Sequence, residues 1–351
     1  MKRKSKIVKI NKLYIGGGNR IAIQSMLNTQ TTDIEAGCNQ IDRLVSAGCD
    51  IIRFTVPDLE NVKAVYEYKS CYPDVPFVAD IHFNHKIALE CIAAGIDKIR
   101  INPGNIGSED GVAAVAKAAK SKEIPIRIGV NGGSLEKHIL EKYGSPTAEA
   151  IAESAFYHAG LLEKYDFSDI VISVKSSSVA NMIAANRIIA EKCDYPLHLG
   201  VTEAGLRRIG ELKNAIGIGS LLCDGIGDTI RVSLTDDPVN EIYAARDILE
   251  ALDMSDELIT TVSCPTCGRT EIDLIALCNE FEKIKPELHP SRKIKVALMG
   301  CVVNGPGEAK GCDIGIAGGK GEALLFKSGE PMYKVKYENL IGTLKEEINR
   351  L

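Results

Sequence analysis

The sequence predicts an α/β fold: a (β/α)8 TIM barrel followed by a small α+β domain. The chain has 351 residues, which exceeds one ordinary domain and suits a barrel with a second domain. Up to about residue 255, eight short apolar segments alternate with longer amphipathic stretches, and after that point the periodicity changes. We therefore divide the chain into domains at 1–255 and 256–351, joined by a short junction at 252–261.

The eight apolar segments are interpreted as the barrel strands. The stretches between them have the three- and four-residue spacing of helices. A doubly wound open sheet is the main alternative, but it gives no reason for eight similar units in succession. The longer connection after the fifth segment, 132–147, is a candidate lid over the barrel mouth. The segments are 21–26, 50–56, 76–83, 98–105, 124–131, 169–177, 196–205 and 228–234.

Composition and charge exclude several function classes. The formal net charge is −5, and no basic patch with interleaved aromatic residues indicates a nucleic-acid surface. The basic N-terminus, MKRKSKIVKINK, is not followed by the apolar region of a signal peptide. No segment reaches the length of a membrane span. We expect a cytoplasmic globular protein that binds neither nucleic acid nor membrane.

Charged side chains cluster where the predicted strands end, and barrel enzymes build their active sites at those ends. A single strand-end arginine often pairs with a neighbouring carboxylate. Five cations at one mouth, however, repel each other unless an anion lies between them, and the guanidinium fork suits phosphate. The barrel therefore predicts a phosphate-bearing small molecule as substrate. The five cations are Arg53, Arg100, Arg127, Lys175 and Arg231.

Glu203, in HLGVTEAG, follows the seventh strand and lies among these cations. A carboxylate in such a mouth is a candidate proton donor or acceptor, and pairing with one arginine is the alternative. His82 and His198 have weaker claims, because a histidine in a barrel is as often a buried polar residue without a catalytic role.

Eleven cysteines, an odd number in a long chain, argue against a disulfide framework. Cys264 and Cys267, in SCPTCGR, and Cys301, after KVALMG, indicate a metal site. The fourth ligand is either the thiolate of Cys312 or the carboxylate of Glu308, which lies across the NGPG turn from Cys301. Structural zinc and an iron–sulfur cluster both remain open, and the spacing favours iron–sulfur.

Five motifs resemble those of the 4-hydroxy-3-methylbut-2-en-1-yl diphosphate synthase family, iron–sulfur enzymes of the methylerythritol phosphate route to isoprenoids. They are SCPTCGR, MGCVVNGPGEA, RINPGN, RIGVNGGSL and HLGVTEAG, and the likeness extends over nearly the whole chain in its compact bacterial form. The resemblance implies that 2-C-methyl-D-erythritol 2,4-cyclodiphosphate undergoes reductive ring opening and dehydration to 4-hydroxy-3-methylbut-2-enyl diphosphate. Two electrons would come from outside the chain.

The resemblance also implies residue roles. Cys264, Cys267, Cys301 and Glu308 would hold a [4Fe-4S] cluster, and Glu203 would be the acid/base residue. Ferredoxin or flavodoxin would donate the electrons, since the sequence shows no flavin motif. The family is a homodimer in which the cluster domain of one chain caps the barrel of its partner. The implied substrate contacts are Arg53, Arg100, Arg127 and Lys175, with Asn131 and Ser134, and in addition Arg231, Asp80, His82, Asn102 and Thr202.

Two other function classes stay open at this point. A phosphosugar lyase or aldolase with structural zinc would use Lys175 as a Schiff-base nucleophile. An iron–sulfur carrier or redox sensor would have no use for a phosphate-binding mouth. A radical S-adenosylmethionine enzyme is disfavoured because the chain has no CxxxCxxC spacing.

Overall fold

A computed structural model describes residues 2–303 and 309–351 of the chain. The chain divides into two compact units, Met1–Met254 and Ser255–Leu351. Within the described residues, the first unit holds an eight-stranded parallel sheet and the second a five-stranded mixed sheet, which confirms the predicted fold class. None of the helices in these residues is long and apolar enough to span a membrane.

The first unit begins with an antiparallel hairpin, Val8–Ile10 (β1) and Leu13–Ile15 (β2). The described barrel strands are hydrogen-bonded in the order β8-β7-β6-β5-β4-β3-β10-β9, and a bridge between Ile172 and Leu197 connects the two ends of this sheet. Each strand lies inside one of the predicted segments. The strands are Ala22–Met26 (β3), Ile51–Thr55 (β4), Phe77–Asp80 (β5), Lys98–Ile101 (β6), Ile126–Asn131 (β7), Ile170–Lys175 (β8), His198–Leu199 (β9) and Thr229–Ile230 (β10).

Helices follow the barrel strands, and many of them begin at a short polar side chain. Asp33, Ser108 and Thr147 each accept a hydrogen bond from a backbone N–H of the first helical turn, which satisfies one of its free donors. Single 3₁₀ turns lie at Pro103–Asn105 and Gly132–Ser134. The helices are Ile34–Ser46 (α1), Lys63–Cys71 (α2), His85–Ala93 (α3), Glu109–Ser121 (α4), Lys137–Tyr143 (α5), Ala148–Glu163 (α6), Val179–Lys192 (α7), Arg207–Cys223 (α8) and Pro238–Ala251 (α9).

The N-terminal hairpin closes one end of the barrel. Its apolar side chains pack against inward-facing residues near the starts of the barrel strands, in a cluster separate from the layer under the helices. Successive residues of a strand alternate between its two faces. The next inward-facing residues along each strand therefore lead toward the polar residues at the opposite end of the barrel. The sequence pattern does not predict this hairpin, because strands of three residues are too short to show an alternation of apolar and polar residues. The cluster contains Val8, Ile10, Ile15, Ala22, Ile51, Val78 and Val171.

In the second unit, the strand order is β11-β12-β13-β14-β15, with the first three parallel and the last three antiparallel. One sheet face packs against two helices, Leu274–Ile284 (α10) and Leu340–Ile348 (α11). The first strand starts inside the expected junction 252–261, because it pairs with its neighbour over its whole length. The strands are Ile259–Ser263 (β11), Ile294–Met299 (β12), Ile314–Gly318 (β13), Glu322–Lys327 (β14) and Glu330–Lys336 (β15).

Candidate active site

Asp80, at the end of β5, connects two of the predicted cations. Its Oδ2 accepts a hydrogen bond from Arg53 Nη2 at 2.5 Å, and its Oδ1 accepts one from Arg100 Nη1 at 3.2 Å. Burial opposes ionisation of this carboxyl, but the two guanidinium groups outweigh burial and hold its pKa well below the usual range. Asp80 is therefore an ionised, buried group whose two oxygens orient two arginines.

Arg127, on β7, is a buried cation of a different kind. It is 1% exposed, and its Nε and Nη1 donate to no group among the described residues. Burial lowers its pKa, and the neighbouring Arg53 and Arg100 lower it further. Buried donors in proteins are nearly always hydrogen-bonded. The orphaned donors of Arg127 thus indicate an acceptor that the described residues do not supply, such as a phosphate oxygen.

Arg231 pairs with a second carboxylate, Glu241 of α9, whose charge also acts on Lys175. Arg231 Nη2 lies 3.5 Å from Glu241 Oε2, and the other carboxylate oxygen accepts the backbone N–H of Leu234 at 3.0 Å. Burial lowers the pKa of Lys175, and Arg231, Arg127 and Arg53 lower it further. The sequence pattern does not identify Glu241, because this residue lies in the first turn of a helix and not at the end of a strand.

Two inward-facing glycines make room for the long cationic side chains. A Cβ at Gly129 would lie 2.3 Å from Arg100 Nε, and a Cβ at Gly200 would lie 2.8 Å from Lys175 Nζ. Arg100 Nη2 instead donates to the carbonyl oxygen of Gly129 at 2.7 Å. Alanine at Gly129 would displace Arg100, and alanine at Gly200 would also meet the backbone oxygen of Arg231 at 2.5 Å. The glycines in RIGVN and HLGVT, inside predicted strands, could have indicated a close approach of long side chains, but they were not used for the prediction.

Further polar side chains are buried on the inward faces of the strands, two residues closer to the strand starts. Lys98 Nζ, the Gln24 amide and His198 Nε2 have no hydrogen-bond partner among the described residues, while His198 Nδ1 lies 2.8 Å from Thr229 Oγ1. Burial and then the charge of Arg127 lower the pKa values of Lys98 and His198. The sequence pattern did not identify Lys98 and Gln24 as site residues. The inward alternation of Lys98 with Arg100 would have identified the lysine.

Glu203 lies beside a polar cavity of about 520 Å³ at the ends of β7, β8 and β9. Its backbone has φ +52°, in the left-handed region, which costs a residue other than glycine about 1 kcal/mol or more. Strained residues of this kind concentrate at functional sites. The exposed carboxylate is thus held beside the cavity at a cost in stability. The cavity is lined in part by Asn131, Ser176, Ser178, Asn181, Thr202 and Glu203.

The remaining predicted substrate contacts lie around the same mouth. His82 is exposed, and its Nε2 lies 3.2 Å from Arg100 Nη1; partial burial lowers its pKa, with Arg100 adding to the effect of burial. Asn102 is buried, and its Oδ1 accepts the backbone N–H of Gly129 at 3.1 Å. Ser134 ends the 3₁₀ turn after β7, and its side chain is outside the described part of the structure.

In the second unit, β11 and β12 bring two of the predicted cluster ligands, Cys264 and Cys301, to neighbouring strand ends. Cys264 directly follows β11, and Cys301 follows β12 after Gly300. The two strands are parallel with Ser263 opposite Leu298, so their C-terminal ends are adjacent. The backbone N–H of Gly300 donates to Cys264 Sγ at 3.2 Å. This contact ties the CxxC segment to the segment that carries Cys301.

The environments of the cysteines differ. Cys267 is exposed, and hydrogen bonds from Arg269 lower the pKa of its thiol. Cys312 packs among apolar side chains on the second face of the sheet, and burial raises its pKa. Glu308, the predicted fourth ligand, lies outside the described residues. Among residues 2–303 and 309–351, no group of three His, Cys, Asp or Glu side chains is placed to hold a metal ion.

Comparison with solved structures supports the barrel fold alone. A type I 3-dehydroquinate dehydratase from Clostridium difficile matches 71% of this chain and 98% of its own with a TM-score of 0.53 and 16% identity. A 7,8-dihydropteroate synthase from Vibrio fischeri matches 72% of this chain and 99% of its own with a TM-score of 0.50 and 11% identity.

Relatives identified by sequence are much more similar to this chain than these solved structures are. A protein of Fusobacterium nucleatum is 55% identical over 350 residues, with 99% of this chain and 98% of the relative covered. A protein of Ruminiclostridium cellulolyticum is 53% identical, with 100% and 98% covered. Both are named 4-hydroxy-3-methylbut-2-en-1-yl diphosphate synthase (flavodoxin). The GcpE TIM-barrel domain matches residues 5–246 and the GcpE protein C-terminal domain matches 260–350. The chain therefore belongs to the GcpE family.

Proposed function

We propose that this chain makes 4-hydroxy-3-methylbut-2-enyl diphosphate by reductive ring opening and dehydration of 2-C-methyl-D-erythritol 2,4-cyclodiphosphate, in isoprenoid precursor synthesis. Its relatives are named for this product. The observation that carries the proposal is the cluster of buried cations at the barrel mouth, where Arg127 has donors without a partner among the described residues. A diphosphate supplies the acceptor oxygens and the negative charge that such a cluster lacks.

The diphosphate is bound by Arg53, Arg100, Arg127 and Lys175. Asp80 orients the first two arginines, so less conformational entropy is lost when they bind an anion. Arg127 offers its unpaired Nε and Nη1. Lys175 has a depressed pKa, and an anion beside it favours the protonated amine. Substrate binding therefore raises the pKa of Lys175.

Glu203 acts as the acid/base residue near the substrate hydroxyls. A hydroxyl leaves as water only when its oxygen receives a proton, and a carboxyl group next to the bound substrate supplies or relays it. The position of Glu203 beside the cavity that Asn131 and Thr202 also line supports this role. The strained backbone of Glu203 agrees with it, since relaxation would move the carboxylate.

The resemblance of the motifs assigns Cys264, Cys267 and Cys301 to a [4Fe-4S] cluster, with Glu308 as the expected fourth ligand. Adjacent strand ends present the first and third thiols, and the hydrogen bond from Gly300 to Cys264 Sγ is of the kind that tunes cluster sulfurs. When bound, the cluster supplies electrons to the substrate one at a time. The names of the relatives favour flavodoxin as donor, and ferredoxin is the alternative.

The active enzyme is a homodimer in which the cluster domain of one chain caps the barrel mouth of its partner. This arrangement follows from the resemblance of the motifs alone. It would exclude water from the mouth during reduction, which strengthens charge interactions with the substrate.

Metal analysis separates this function from the zinc-containing lyase. Protein purified without oxygen is assayed for iron, sulfide and zinc, and its visible absorption is recorded. The proposal requires about four irons and four sulfides per chain with broad absorption near 400 nm. About one zinc per chain and no sulfide, even after anaerobic reconstitution, would favour the lyase, in which Lys175 forms a Schiff base.

A further inference from the structure

His158, on α6, is completely buried and contacts two loops at the barrel mouth. Its Nδ1 accepts the backbone N–H of Gly104 at 3.1 Å, and its Nε2 lies 2.6 Å from Glu136 Oε1. Gly104 lies in the 3₁₀ turn that follows β6, which we call the β6 loop, Pro103–Asn105. Glu136 lies in the segment 132–147 after β7, which we call the β7 loop. One imidazole ring therefore connects the two loops.

These contacts fix the tautomer of His158. Because the Gly104 N–H donates to Nδ1, this nitrogen carries no proton, and the single ring proton is on Nε2. Nε2 lies 2.6 Å from Glu136 Oε1, as a close polar contact and not as an aligned hydrogen bond. Burial opposes ionisation of Glu136, but the neighbouring His158 outweighs burial and lowers the pKa of this carboxyl to about 2. Glu136 is therefore an ionised carboxylate beside the ring.

The surrounding packing leaves little freedom to either loop. A Cβ at Gly104 would lie 2.9 Å from His158 Cε1, so only glycine lets the β6 loop approach the ring this closely. The β7 loop has further contacts to the same helix, because Lys142 Nζ and Tyr143 Oη lie 2.6 and 2.7 Å from Glu153 Oε2. Helix α6 is thus a common support for both loops.

Each loop begins at a proposed substrate contact. Asn102 immediately precedes the β6 loop, and Asn131 immediately precedes the β7 loop. The two strand ends also touch directly, through the hydrogen bond from Gly129 N to Asn102 Oδ1. Movement of one loop relative to the other would therefore change the spacing of the two asparagines in the mouth.

We propose that His158 is a positioning residue that fixes the β6 loop and the β7 loop relative to each other, and thereby sets the placement of Asn102 and Asn131 for substrate binding. The effect on substrate rests on the proposed function, whereas the connection between the loops rests on geometry alone. His158 is itself buried under the loops, so its loss acts through binding and leaves the reduction step nearly intact.

Three substitutions separate the two contacts. His158→Leu removes both. His158→Asn keeps an acceptor near the position of Nδ1, and His158→Gln keeps a donor near the position of Nε2. Tyr195→Phe is the matched control, since it removes a 2.7 Å hydrogen bond to Glu163 at the far end of the same helix.

Amide hydrogen exchange of the full-length, cluster-reconstituted protein is the first readout. We expect His158→Leu to raise exchange about tenfold in both loops, at 104–106 and 132–136. His158→Asn should loosen mainly the β7 loop, and His158→Gln mainly the β6 loop. Unchanged exchange in both loops, or the same increase in Tyr195→Phe, would overturn the proposal. If His158→Leu does not fold, the other two variants decide the question.

Steady-state kinetics with the cyclic diphosphate and reduced flavodoxin is the second readout. The proposal expects His158→Leu to raise KM about tenfold while kcat changes by less than about threefold. A loss confined to kcat would contradict a positioning role in binding. If the wild-type protein does not turn over this substrate, the proposed function is wrong, and the exchange experiment still tests the connection between the loops.

Discussion

Arg53 and Asp80, from adjacent strands, are joined by a hydrogen bond of 2.5 Å inside a site that carries a large excess of positive charge. Asp80 also binds Arg100, so one carboxylate orients two cations. The arginines remain close together only because this buried anion lies between them. The cationic mouth is therefore assembled without a substrate.

Asp80→Asn should destabilise the protein by about 3 kcal/mol at neutral pH, since it leaves two buried guanidinium groups without their anion. The pKa of Asp80 is depressed in the folded state, so its contribution is present above the unfolded value of about 3.9 and is lost as the pH falls through the lower folded value. Denaturant unfolding of both proteins at several pH values measures this. The difference should shrink below about pH 4, and a constant difference would contradict the account.

Lys175→Met should abolish proton uptake on anion binding. The free site lowers the pKa of Lys175, mainly by burial, and a bound anion raises it, so binding takes up a proton at any pH between the two values. Titration calorimetry with inorganic pyrophosphate, in buffers of different ionisation enthalpy, counts the protons taken up. Lys192→Met, on the exposed end of α7, is the control and should behave as wild type. Wild-type protein that binds pyrophosphate without proton uptake would refute this prediction.

Gly129→Ala and Gly200→Ala should each weaken substrate binding about tenfold or more, because the added methyl group clashes with Arg100 at the first position and with Lys175 and the backbone oxygen of Arg231 at the second. Gly219→Ala on α8 is the matched control, since a Cβ there meets nothing within 4 Å and alanine favours a helix. Substrate dissociation constants and melting temperatures are measured together. Wild-type affinity in both mouth variants would show that neither cation needs its present position.

Glu203→Gln should lower kcat about 100-fold or more with little change in KM, as expected when a general acid or base is lost. Glu203→Gly should be equally inactive and at least as stable as wild type, since glycine accepts φ +52° without strain. Activity assays and thermal unfolding check the pair. Substantial turnover by either variant would exclude the acid/base role.

Mixing Cys264→Ala chains with Glu203→Ala chains tests the shared active site. If the cluster domain of one chain serves the barrel of its partner, a heterodimer retains one working site and recovers activity. Subunit exchange is verified separately with a tagged chain. No recovery after proven exchange would place both components of the site within one chain.

The sequence predicted all eight barrel strands, because each lies in a short, largely apolar segment between stretches with helical spacing. It could not predict which cations are paired, since the partners Asp80 and Glu241 come from a neighbouring strand and from a helix. The β1–β2 hairpin and β11 depend on tertiary packing and pairing more than on local pattern. The contact between His158 and Glu136 was equally hidden, because a lone histidine on a helix carries no distinguishing spacing.

Product formation tests the central claim most directly. The anaerobically reconstituted wild-type protein is mixed with 2-C-methyl-D-erythritol 2,4-cyclodiphosphate and reduced flavodoxin, and the products are identified by mass spectrometry. The account predicts 4-hydroxy-3-methylbut-2-enyl diphosphate in the complete mixture, and no product when the reductant is omitted. Turnover without any reductant, or intact substrate in the complete mixture with a fully loaded cluster, would contradict it.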